Sequence, residues 1–334
     1  MKAHVLHGVG DLRYEDVPVP VLRPGWALIK VLAVGICSSD IPRIFEKGTY
    51  HFPTVPGHEF CGVVEKVRDR ENESWLGKRV GVYPLIPCMN CASCEREEYE
   101  TCKNYDYIGS RRDGAFAEFV AAPVWNLIKL PDQVSDMEGA MLEPASVALH
   151  AVRRLGSLAG KSVCVVGAGA IGFLAGQWAK ILGAERVVIK GRGMAKRELA
   201  ERCGLEYTVE AGEQFDGVVE AVGAQEAVAE SIARTNPGGR LVLMGNPSGD
   251  IHLKQDVYWQ ILRKQITAAG TWNSSFQRAD SDWAISMQAM AAGKICGEQL
   301  CTHIFDLADL HRGLAVMKEK AEPYGKILIR SRPG

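Results

Sequence analysis

A glycine motif that directly follows an apolar run constrains the fold of this chain more than any other feature. The run Ser162–Val166 leads into a G-x-G-x-x-G pattern, and the helical pattern Ile171–Leu182 leaves it. The first glycine permits a tight turn, the second lets a pyrophosphate approach the backbone, and the third lets the helix lie close to the strand. A glycine-rich turn without a ligand is the alternative, which this context disfavours. The predicted cofactor-binding residues here are Gly167, Gly169, Ala170, Ile171 and Gly172.

From Lys161 onward, strand and helix patterns alternate, which is typical of a doubly wound parallel sheet. The predicted strands are Ser162–Val166, Arg186–Lys190, Glu206–Val209, Gly217–Ala221, Arg240–Met244 and Gln265–Ala269. The predicted helices between them are Ile171–Leu182, Ala195–Cys203 and Glu226–Arg234. Only twelve residues separate Cys203 from Asp216. Because a helical crossover usually needs more, we expect a bare loop after the third strand.

The chain before residue 148 has a different texture, with short β-type runs separated by Gly and Pro. These runs are Trp26–Val34, Cys61–Val67, Arg79–Tyr83 and Phe116–Ala121. They predict a β-barrel-like domain. After Gly270 the sequence predicts a helix, Asp282–Ala291, and a last strand, Lys326–Arg330, that returns to the first domain. We therefore expect one domain from residues 1–147 and 271–334, and a dinucleotide-binding domain from residues 148–270.

Four cysteines are spaced C-x2-C-x2-C-x7-C in a stretch with little helix or strand periodicity. They are Cys88, Cys91, Cys94 and Cys102. Two-residue gaps let successive thiolates point at one centre about 2.3 Å away, as in structural zinc sites. Four exposed free thiols would be an oxidation liability, and a disulfide knot would need an oxidising compartment. The sequence therefore predicts a zinc-held lobe over about residues 84–105.

A second group of metal-ligand types is spread along the first 143 residues. Cys37 supplies a thiolate, His58 an imidazole, and Glu59 and Glu143 supply carboxylates. Three protein ligands and one exchangeable position are what catalytic zinc needs. Taken singly, these residues could be a core thiol, a loop histidine and a helix-start acid. Together with the lobe and the glycine motif, they predict an open zinc site.

The bulk composition excludes some classes of partner. With 39 basic and 40 acidic side chains the net charge is −1, so nothing favours nucleic acid or an anionic membrane as a partner. No apolar run reaches membrane-spanning length. Met1–Gly10 lacks a signal-peptide core, so we expect a cytoplasmic protein with reduced thiols. Most of the remaining cysteines are expected in or near a core: Cys61, Cys164, Cys203, Cys296 and Cys301.

The order of these motifs resembles that of the zinc-dependent medium-chain alcohol and polyol dehydrogenases along the whole chain. The shared stretches are Gly35–Asp40, Gly57–Glu59, the four-cysteine lobe, Asp113–Glu118, Glu143-Pro144 and the glycine motif. Three further stretches are most similar to a branch that acts on polyol phosphates: Ser39–Phe45, Tyr107–Gly114 and Ile261–Lys264. The resemblance implies a GroES-like β-barrel catalytic domain with a Rossmann domain. It also implies a homodimer or homotetramer.

The resemblance further implies hydride transfer between a nicotinamide cofactor and a secondary alcohol. It matches Cys37, His58, Glu59 and Glu143 to the catalytic zinc site, so two zinc ions are expected per chain. Whether Glu59 or Glu143 binds directly, or through water, stays open. Ser39 is expected to pass the substrate's proton on as a relay, since a neutral serine is no base near pH 7. A plain turn hydroxyl is the alternative.

The end of the second predicted strand bears on the choice of cofactor. An NAD site normally carries Asp or Glu roughly 20 residues after the first glycine, where it holds the ribose 2′-hydroxyl. Here the stretch reads Lys190-Gly191-Arg192 without a carboxylate, whereas the resembled enzymes carry Asp at the position of Gly191. Space and positive charge favour a 2′-phosphate, so we predict NADP ahead of NAD. The alternative is that Lys190 and Arg192 are solvated cations.

Three arginines are candidate substrate residues. Arg111 and Arg112 follow the lobe and Arg43 lies six residues beyond Cys37, so a phosphate-binding fork is possible. A solvated pair beside Asp113 is the alternative. With the resemblance, we expect a polyol phosphate as substrate and an unphosphorylated, sorbitol-like polyol as runner-up. A zinc-ribbon module or a metal-free, non-catalytic relative of the fold is the rival outside this class.

Overall fold

The structure is a computed structural model that describes residues 1–295 and 297–331. Cys296, whose thiol was expected in or near a core, lies outside the described residues. The chain forms two compact units. The first unit comprises Met1–Glu143, Met290–Ala292 and Cys301–Gly334, and the second comprises Pro144–Ala289 and Gly293–Leu300.

The elements are numbered in chain order. The strands are β1 (Lys2–Gly8), β2 (Asp11–Asp16), β3 (Trp26–Gly35), β4 (Glu59–Val67), β5 (Arg79–Val82), β6 (Leu85–Ile86), β7 (Asp106–Tyr107), β8 (Phe119–Pro123), β9 (Leu127–Lys129), β10 (Ser162–Val166), β11 (Arg186–Lys190), β12 (Glu206–Thr208), β13 (Phe215–Glu220), β14 (Thr235–Leu243), β15 (Thr267–Gly270), β16 (Cys301–Asp306) and β17 (Lys326–Arg330). The helices are α1 (Asp40–Pro42), α2 (Ala92–Glu95), α3 (Asp136–Ala140), α4 (Leu142–Arg153), α5 (Ala170–Ile181), α6 (Arg197–Arg202), α7 (Gln225–Arg234), α8 (Gln255–Arg263), α9 (Asp282–Ala291) and α10 (Leu310–Glu319). A π-helical turn covers Arg43–Lys47, and 3-10 turns cover Arg70–Trp75, Tyr99–Thr101, Val124–Asn126, Met194–Lys196, Glu298–Leu300 and Leu307–Asp309.

The first unit is built around a mostly antiparallel sheet in the order β16-β17-β3-β4-β5-β9, with β8 also paired to β3. The predicted last strand does return to this unit, because β17 pairs with β3. The β1-β2 hairpin joins through bridges from Ala3 to Ala117 and from Leu6 to Thr54. The core includes Ile29, Phe60 and Phe116. Burial of each such side chain contributes about 1.5–3 kcal/mol.

The second unit contains the predicted doubly wound sheet. In the described residues its parallel strands follow the order β12-β11-β10-β13-β14-β15, with the glycine motif between β10 and α5. This is the dinucleotide-binding order 3-2-1-4-5-6. The expected bare connection is confirmed, because the described residues 209–214 join β12 to β13 without a helix.

Residues 144–147 and Gly293–Leu300, which the sequence assigned to the first domain, belong to the second unit, and so do residues 271–289. The buried carboxylate of Asp282 holds this segment. It accepts hydrogen bonds from the Ser275 amide at 2.8 Å, from His150 Nδ1 at 2.7 Å and from Arg153 at 3.1 Å. Since His150 and Arg153 lie on α4, these bonds attach the segment to the second unit.

Other differences from prediction are local. The strand predicted at Phe116–Ala121 begins only at Phe119, because Ala117 bridges to β1. The helix predicted at Ala195–Cys203 divides into a 3-10 turn, Met194–Lys196, and α6. None of the helices in the described residues combines the length and apolar character needed to cross a membrane.

Candidate metal centres and dinucleotide site

The four-cysteine lobe lies between β6 and β7, which pair with each other and close its base. The Sγ atoms lie 4.0 Å apart for Cys88 and Cys94, 3.6 Å for Cys91 and Cys94, 3.8 Å for Cys91 and Cys102, and 3.5 Å for Cys88 and Cys102. A regular tetrahedron with metal–sulfur bonds of about 2.3 Å has edges of about 3.8 Å. The four sulfurs therefore have the spacing that a closed tetrahedral zinc site requires.

The backbone of the lobe also favours bound thiolates. Hydrogen bonds from the backbone at Cys94 and Lys103 lower the pKa of the Cys91 thiol to about 6. Burial raises the pKa of Cys102 to about 12. Because thiolates and not thiols bind metal, a cation is needed to keep all four sulfurs deprotonated together.

The second group of donors lies where β3 ends and β4 begins. Gly35, the last residue of β3, is paired with Glu59, the first residue of β4. This register brings Cys37, just beyond β3, beside His58, just before β4. One donor atom from each of Cys37, His58 and Glu59 lies within 4.8 Å of the other two. His58 and Glu59 are buried and Cys37 is half-buried.

Asp40 connects two of these donors. One oxygen of its buried carboxylate accepts a hydrogen bond from the Cys37 amide at 2.9 Å, and the other lies 3.5 Å from His58 Nδ1. Burial opposes charge on His58, but Asp40 and the Cys37 thiolate outweigh it and raise its pKa well above the usual range. With Nδ1 directed at Asp40, the Nε2 atom is the nitrogen available to a metal, as is usual for metal-binding histidines.

Glu59 has a buried counter-ion in Lys326, the first residue of β17. The pairing of both β4 and β17 with Gly35 of β3 explains how residues so distant in sequence meet. Burial tends to lower the pKa of Lys326, but Glu59 and Cys37 outweigh this and raise it. The ammonium group therefore stays charged and compensates one of the acids of the cluster.

Glu143 lies in the first turn of α4 and is buried. Burial and the nearby carboxylate of Glu59 raise its pKa to about 7. In the described residues, the mutual 4.8 Å group contains Glu59 but not Glu143. The ring of Tyr107 meets His58 edge-on at 5.7 Å, and burial and Glu143 raise the pKa of its hydroxyl well above the usual range. Tyr107 therefore presents a neutral phenol to the cluster.

Ser39 and Arg43 lie beside the cluster. The Ser39 hydroxyl donates to Cys37 Sγ at 3.3 Å. An Nη atom of Arg43 lies 3.5 Å from His58 Nδ1 and 3.8 Å from an oxygen of Asp40. The structure thus brings the predicted relay and one of the three predicted substrate arginines to the donor group.

The other two arginines have partners of their own. The guanidinium of Arg111 lies between the rings of Tyr50 and Tyr105, at 4.3 and 4.5 Å from their centroids, and donates to the Tyr105 carbonyl at 3.0 Å. Arg112 forms an ion pair with Asp106. Both guanidinium groups thus have partners within the described residues, and the predicted phosphate-binding fork of Arg43, Arg111 and Arg112 stays a prediction.

The glycine turn has the geometry that its sequence predicts. Gly167 has a φ of +126°, which disfavours other residues, and a Cβ on Gly172 would overlap the Gly167 carbonyl. Phe173 donates the first hydrogen bond of α5, to Gly169 at 3.0 Å. The amides of Ala170, Ile171 and Gly172 therefore have no partner within the helix, which suits a pyrophosphate.

The residues after β11 differ from expectation at Lys190. Its ammonium lies 3.3 Å from Glu230 and donates to the Gly191 carbonyl at 2.9 Å. The predicted role of Lys190 as a cofactor cation is thereby weakened, because its charge is already paired with α7. Arg192 is exposed, and within the described residues it forms no hydrogen bond or ion pair.

Sequence reasoning assigned no role to three residues beside Cys37, His58 and Glu59, namely Asp40, Lys326 and Tyr107. Asp40 stood in the Gly35–Asp40 motif, so its position next to Cys37 was the available signal. Tyr107 begins the Tyr107–Gly114 stretch and so had a signal of the same kind, whereas Lys326 had none. Only the pairing of β17 with β3, and of β6 with β7, brings these two side chains to the donors.

Comparison with known proteins agrees with this geometry. Residues 23–132 match the family model of the alcohol dehydrogenase GroES-like domain, and residues 170–292 match that of the zinc-binding dehydrogenases. Galactitol 1-phosphate 5-dehydrogenase of Escherichia coli is 31% identical, over 98% of this chain and 99% of that protein. Erythritol/L-threitol dehydrogenase of Mycolicibacterium smegmatis is 30% identical, over 98% of this chain and 97% of that one.

Comparison with solved structures also finds dehydrogenases that match along nearly the whole chain. The crystal structure of galactitol-1-phosphate dehydrogenase from Escherichia coli matches with a TM-score of 0.90 at 30% identity, over 99% of this chain and all of that one. A putative zinc-binding dehydrogenase from Sinorhizobium meliloti, bound to NADP, matches with a TM-score of 0.88 at 29% identity, over 98% of both chains.

Proposed function

The chain belongs to the zinc-dependent medium-chain alcohol and polyol dehydrogenases, and on that premise we propose that it transfers hydride between NADP and a secondary alcohol of a polyol phosphate. The product in the oxidative direction is the ketose phosphate. The observation that carries the proposal is the group Cys37, His58 and Glu59, with donor atoms within 4.8 Å in the same unit as a separate four-sulfur lobe.

The two groups of ligands are proposed to have different tasks. Four thiolates close the lobe and leave no position for substrate, so Cys88, Cys91, Cys94 and Cys102 hold structure only. Sulfur, nitrogen and oxygen donors at Cys37, His58 and Glu59 suit zinc with one exchangeable position, and Glu143, whose carboxyl is influenced by Glu59, is the second candidate carboxylate. Zinc supplies polarisation of a substrate hydroxyl, and the nicotinamide supplies a hydride acceptor.

The chain's own residues hold the ligands and move the proton. Asp40 orients His58 and fixes the backbone of Cys37, and Lys326 balances the charge of Glu59. The hydroxyl of Ser39, 3.3 Å from Cys37 Sγ, lies beside the donors, where it would accept the substrate's proton while it passes its own proton on to solvent. The relay needs only this exchange, since serine gains no net charge.

Arg43 is the proposed contact for the phosphate of the substrate. Its guanidinium lies beside His58, whereas Arg111 and Arg112 are stacked or paired. The pairing of Arg112 with Asp106 favours the second candidate, an unphosphorylated polyol. The relative from Mycolicibacterium, named for erythritol and threitol, supports this candidate, and the relative named for galactitol 1-phosphate supports the first.

Initial rates with matched pairs of polyols and their phosphates, each with NADP and with NAD, test the proposal through the absorbance of the reduced cofactor. We expect kcat/KM to be about 10- to 100-fold higher for the phosphorylated polyol of each pair, because one charge-assisted hydrogen bond contributes about that factor. Arg43→Ala should remove most of this preference at unchanged zinc content. Arg312→Ala, at an exposed arginine of the same unit, is the control.

Equal kcat/KM within each pair would leave the unphosphorylated polyol as substrate, and no turnover of any polyol would contradict both candidates. The cofactor preference is tested in the same assay. Arg192→Ala should lower kcat/KM for NADP and leave NAD unchanged, whereas Arg202→Ala, at an exposed arginine paired with Glu198, should change neither.

The proposed assembly is a homodimer or homotetramer. In the described residues, β15 is an edge strand of its sheet, and its outer edge pairs with no other strand. Large apolar side chains of the same unit are exposed: Tyr258, Trp259, Leu262 and Trp272. Such an edge and patch are unusual on a monomer. Sedimentation velocity should give a dimer or larger, and a monomeric wild type would contradict this.

A further inference from the structure

Tyr207 covers the end of β11, where a dinucleotide-binding sheet usually presents its acidic residue. Tyr207 lies on β12, opposite Ile189 of β11. Its hydroxyl donates to the Gly193 carbonyl at 2.6 Å. A Cβ on Gly191 would overlap that hydroxyl and would lie 2.5 Å from Cζ and 3.1 Å from Cε2 of the ring. The space that a side chain at position 191 would need is therefore filled by Tyr207.

The phenol of Tyr207 occupies the place of the usual carboxylate, so the charge at the end of β11 differs from that of an NAD site. An Asp or Glu after the second strand accepts from the ribose 2′-hydroxyl and repels a 2′-phosphate. Burial raises the pKa of Tyr207, so its phenol is neutral near pH 7. The group that occupies the place of a side chain at Gly191 is thus an uncharged phenol and not a carboxylate.

Tyr207 also holds the backbone from which Arg192 extends. The bond to Gly193 and the Gly191 amide's bond to the Thr208 carbonyl, at 3.0 Å, attach both neighbours of Arg192 to β12. Lys190 is paired with Glu230, so Arg192 is the cation of this turn that has no partner among the described residues. A fixed turn presents that charge at a lower entropic cost than a mobile one.

We propose that Tyr207 is a specificity-determining and positioning residue for the cofactor: its ring excludes an acidic side chain at position 191, and its hydroxyl fixes the turn that carries Arg192. This inference rests on the NADP preference of the proposed function and names the residue that maintains it. The ligand recognised is the adenosine 2′-phosphate half of the dinucleotide.

Isothermal titration with two adenosine fragments tests the hydroxyl. The fragments are adenosine 2′,5′-bisphosphate and adenosine 5′-monophosphate, so neither metal nor turnover is involved. The wild type should bind the bisphosphate more tightly. Tyr207→Phe keeps the ring and loses the bond to Gly193, so we expect the ratio of the two affinities to fall by about 3- to 10-fold. The affinity for the monophosphate should stay unchanged.

Gly191→Asp, made in the wild type and in Tyr207→Ala, tests whether the ring of Tyr207 excludes a side chain at position 191. Gly191→Asp in the wild type must displace Tyr207, so we expect a lower Tm and weaker binding of both fragments. In a Tyr207→Ala background the carboxylate has room, and Gly191→Asp should reverse the preference in favour of the monophosphate without a further loss of Tm. This dependence of one substitution on the other is the signature of a shared space.

Three results would overturn the inference. They are equal binding of the two fragments by the wild type, an unchanged ratio in Tyr207→Phe, and a fully stable Gly191→Asp protein that prefers the monophosphate. A wild type that strongly prefers the 2′-phosphate fragment but turns over no polyol would contradict the proposed polyol oxidation and not the role of Tyr207. If the wild type oxidises polyols and the ratio of the two fragment affinities is unchanged in Tyr207→Phe, only the proposed role of Tyr207 is contradicted.

Discussion

Asp40 contacts two donors of the second group, Cys37 and His58, one through each of its carboxylate oxygens. One accepts from the amide of Cys37 and the other faces Nδ1 of His58, so a single buried carboxylate fixes the position of two ligands. Groups that orient metal ligands typically change metal affinity by about 10- to 100-fold when they are removed. The position of Asp40 therefore bears on metal retention more than on the fold of the first unit.

Asp40→Asn should weaken zinc binding at Cys37, His58 and Glu59 by about 10- to 100-fold and leave the zinc of the lobe in place. The reason is that an amide can still meet the Cys37 backbone but no longer attracts the His58 ring electrostatically. Competition with a chelator, followed by metal analysis, measures this. Asp216→Asn, which also removes a carboxylate that accepts from a backbone amide, is the control, and equal zinc loss in both variants would refute the role.

Residues with local signals were predictable and residues with distant partners were not. The glycine turn and the four lobe cysteines were found from spacing alone, because turn geometry and tetrahedral coordination restrict sequence locally. Lys326 meets Glu59 across 267 positions, and Tyr207 meets Gly191 through strand pairing. The sequence likewise does not reveal Glu230 and Asp106, which pair with Lys190 and Arg112.

At the scale of elements, a buried network attaches α9 to α4. Asp282, the first residue of α9, accepts from His150, Arg153 and Ser275, and it is fully buried. Burial tends to raise the pKa of Asp282, but the bonds from His150 and Ser275 outweigh it and lower the pKa below its ordinary value. Since the folded-state pKa is depressed, this acid stabilises the fold above its unfolded pKa of about 4 and loses that effect as the pH falls.

Asp282→Asn should lower the free energy of unfolding of the second unit by about 3 kcal/mol at pH 7, because it leaves buried donors without their charged acceptor. The difference from the wild type should begin to shrink below about pH 4 and should vanish only as the pH falls through the depressed folded-state pKa, where the wild-type carboxyl becomes protonated. Urea unfolding followed by circular dichroism at both pH values measures this. Asp280→Asn, at an exposed acid two residues away, serves as control, and a constant difference across pH would exclude the linkage.

Elements with strong apolar runs were predicted closely. The strands β10, β11 and β17 and the helix α9 have the predicted bounds, since buried runs between Gly and polar residues leave little choice. The amphipathic helices α8 and α10 and the hairpin β1-β2 were not predicted. The apolar residues of both helices recur at helical spacing, so the sequence did carry a local signal for them.

At the scale of the whole molecule, the two units divide the tasks of a dehydrogenase. The first unit contains both candidate metal centres, and the second contains the glycine turn and the Tyr207 site. The sequence predicted this division, although residues 271–289 proved to belong to the second unit. Neither spacing nor packing specifies the substrate, because only Arg43 of the three predicted substrate arginines lies beside His58 and Asp40, and one arginine does not distinguish a polyol phosphate from a plain polyol.

The zinc content of the purified protein, measured per chain in the wild type and in His58→Ala, tests the central claim most directly. Two separate centres predict two ions per chain in the wild type and one in the variant, with the remaining ion held by Cys88, Cys91, Cys94 and Cys102. Cys91→Ser should likewise retain one. A wild type with a single ion that His58→Ala keeps would contradict the claim, because the cluster of Cys37, His58 and Glu59 would then hold no metal.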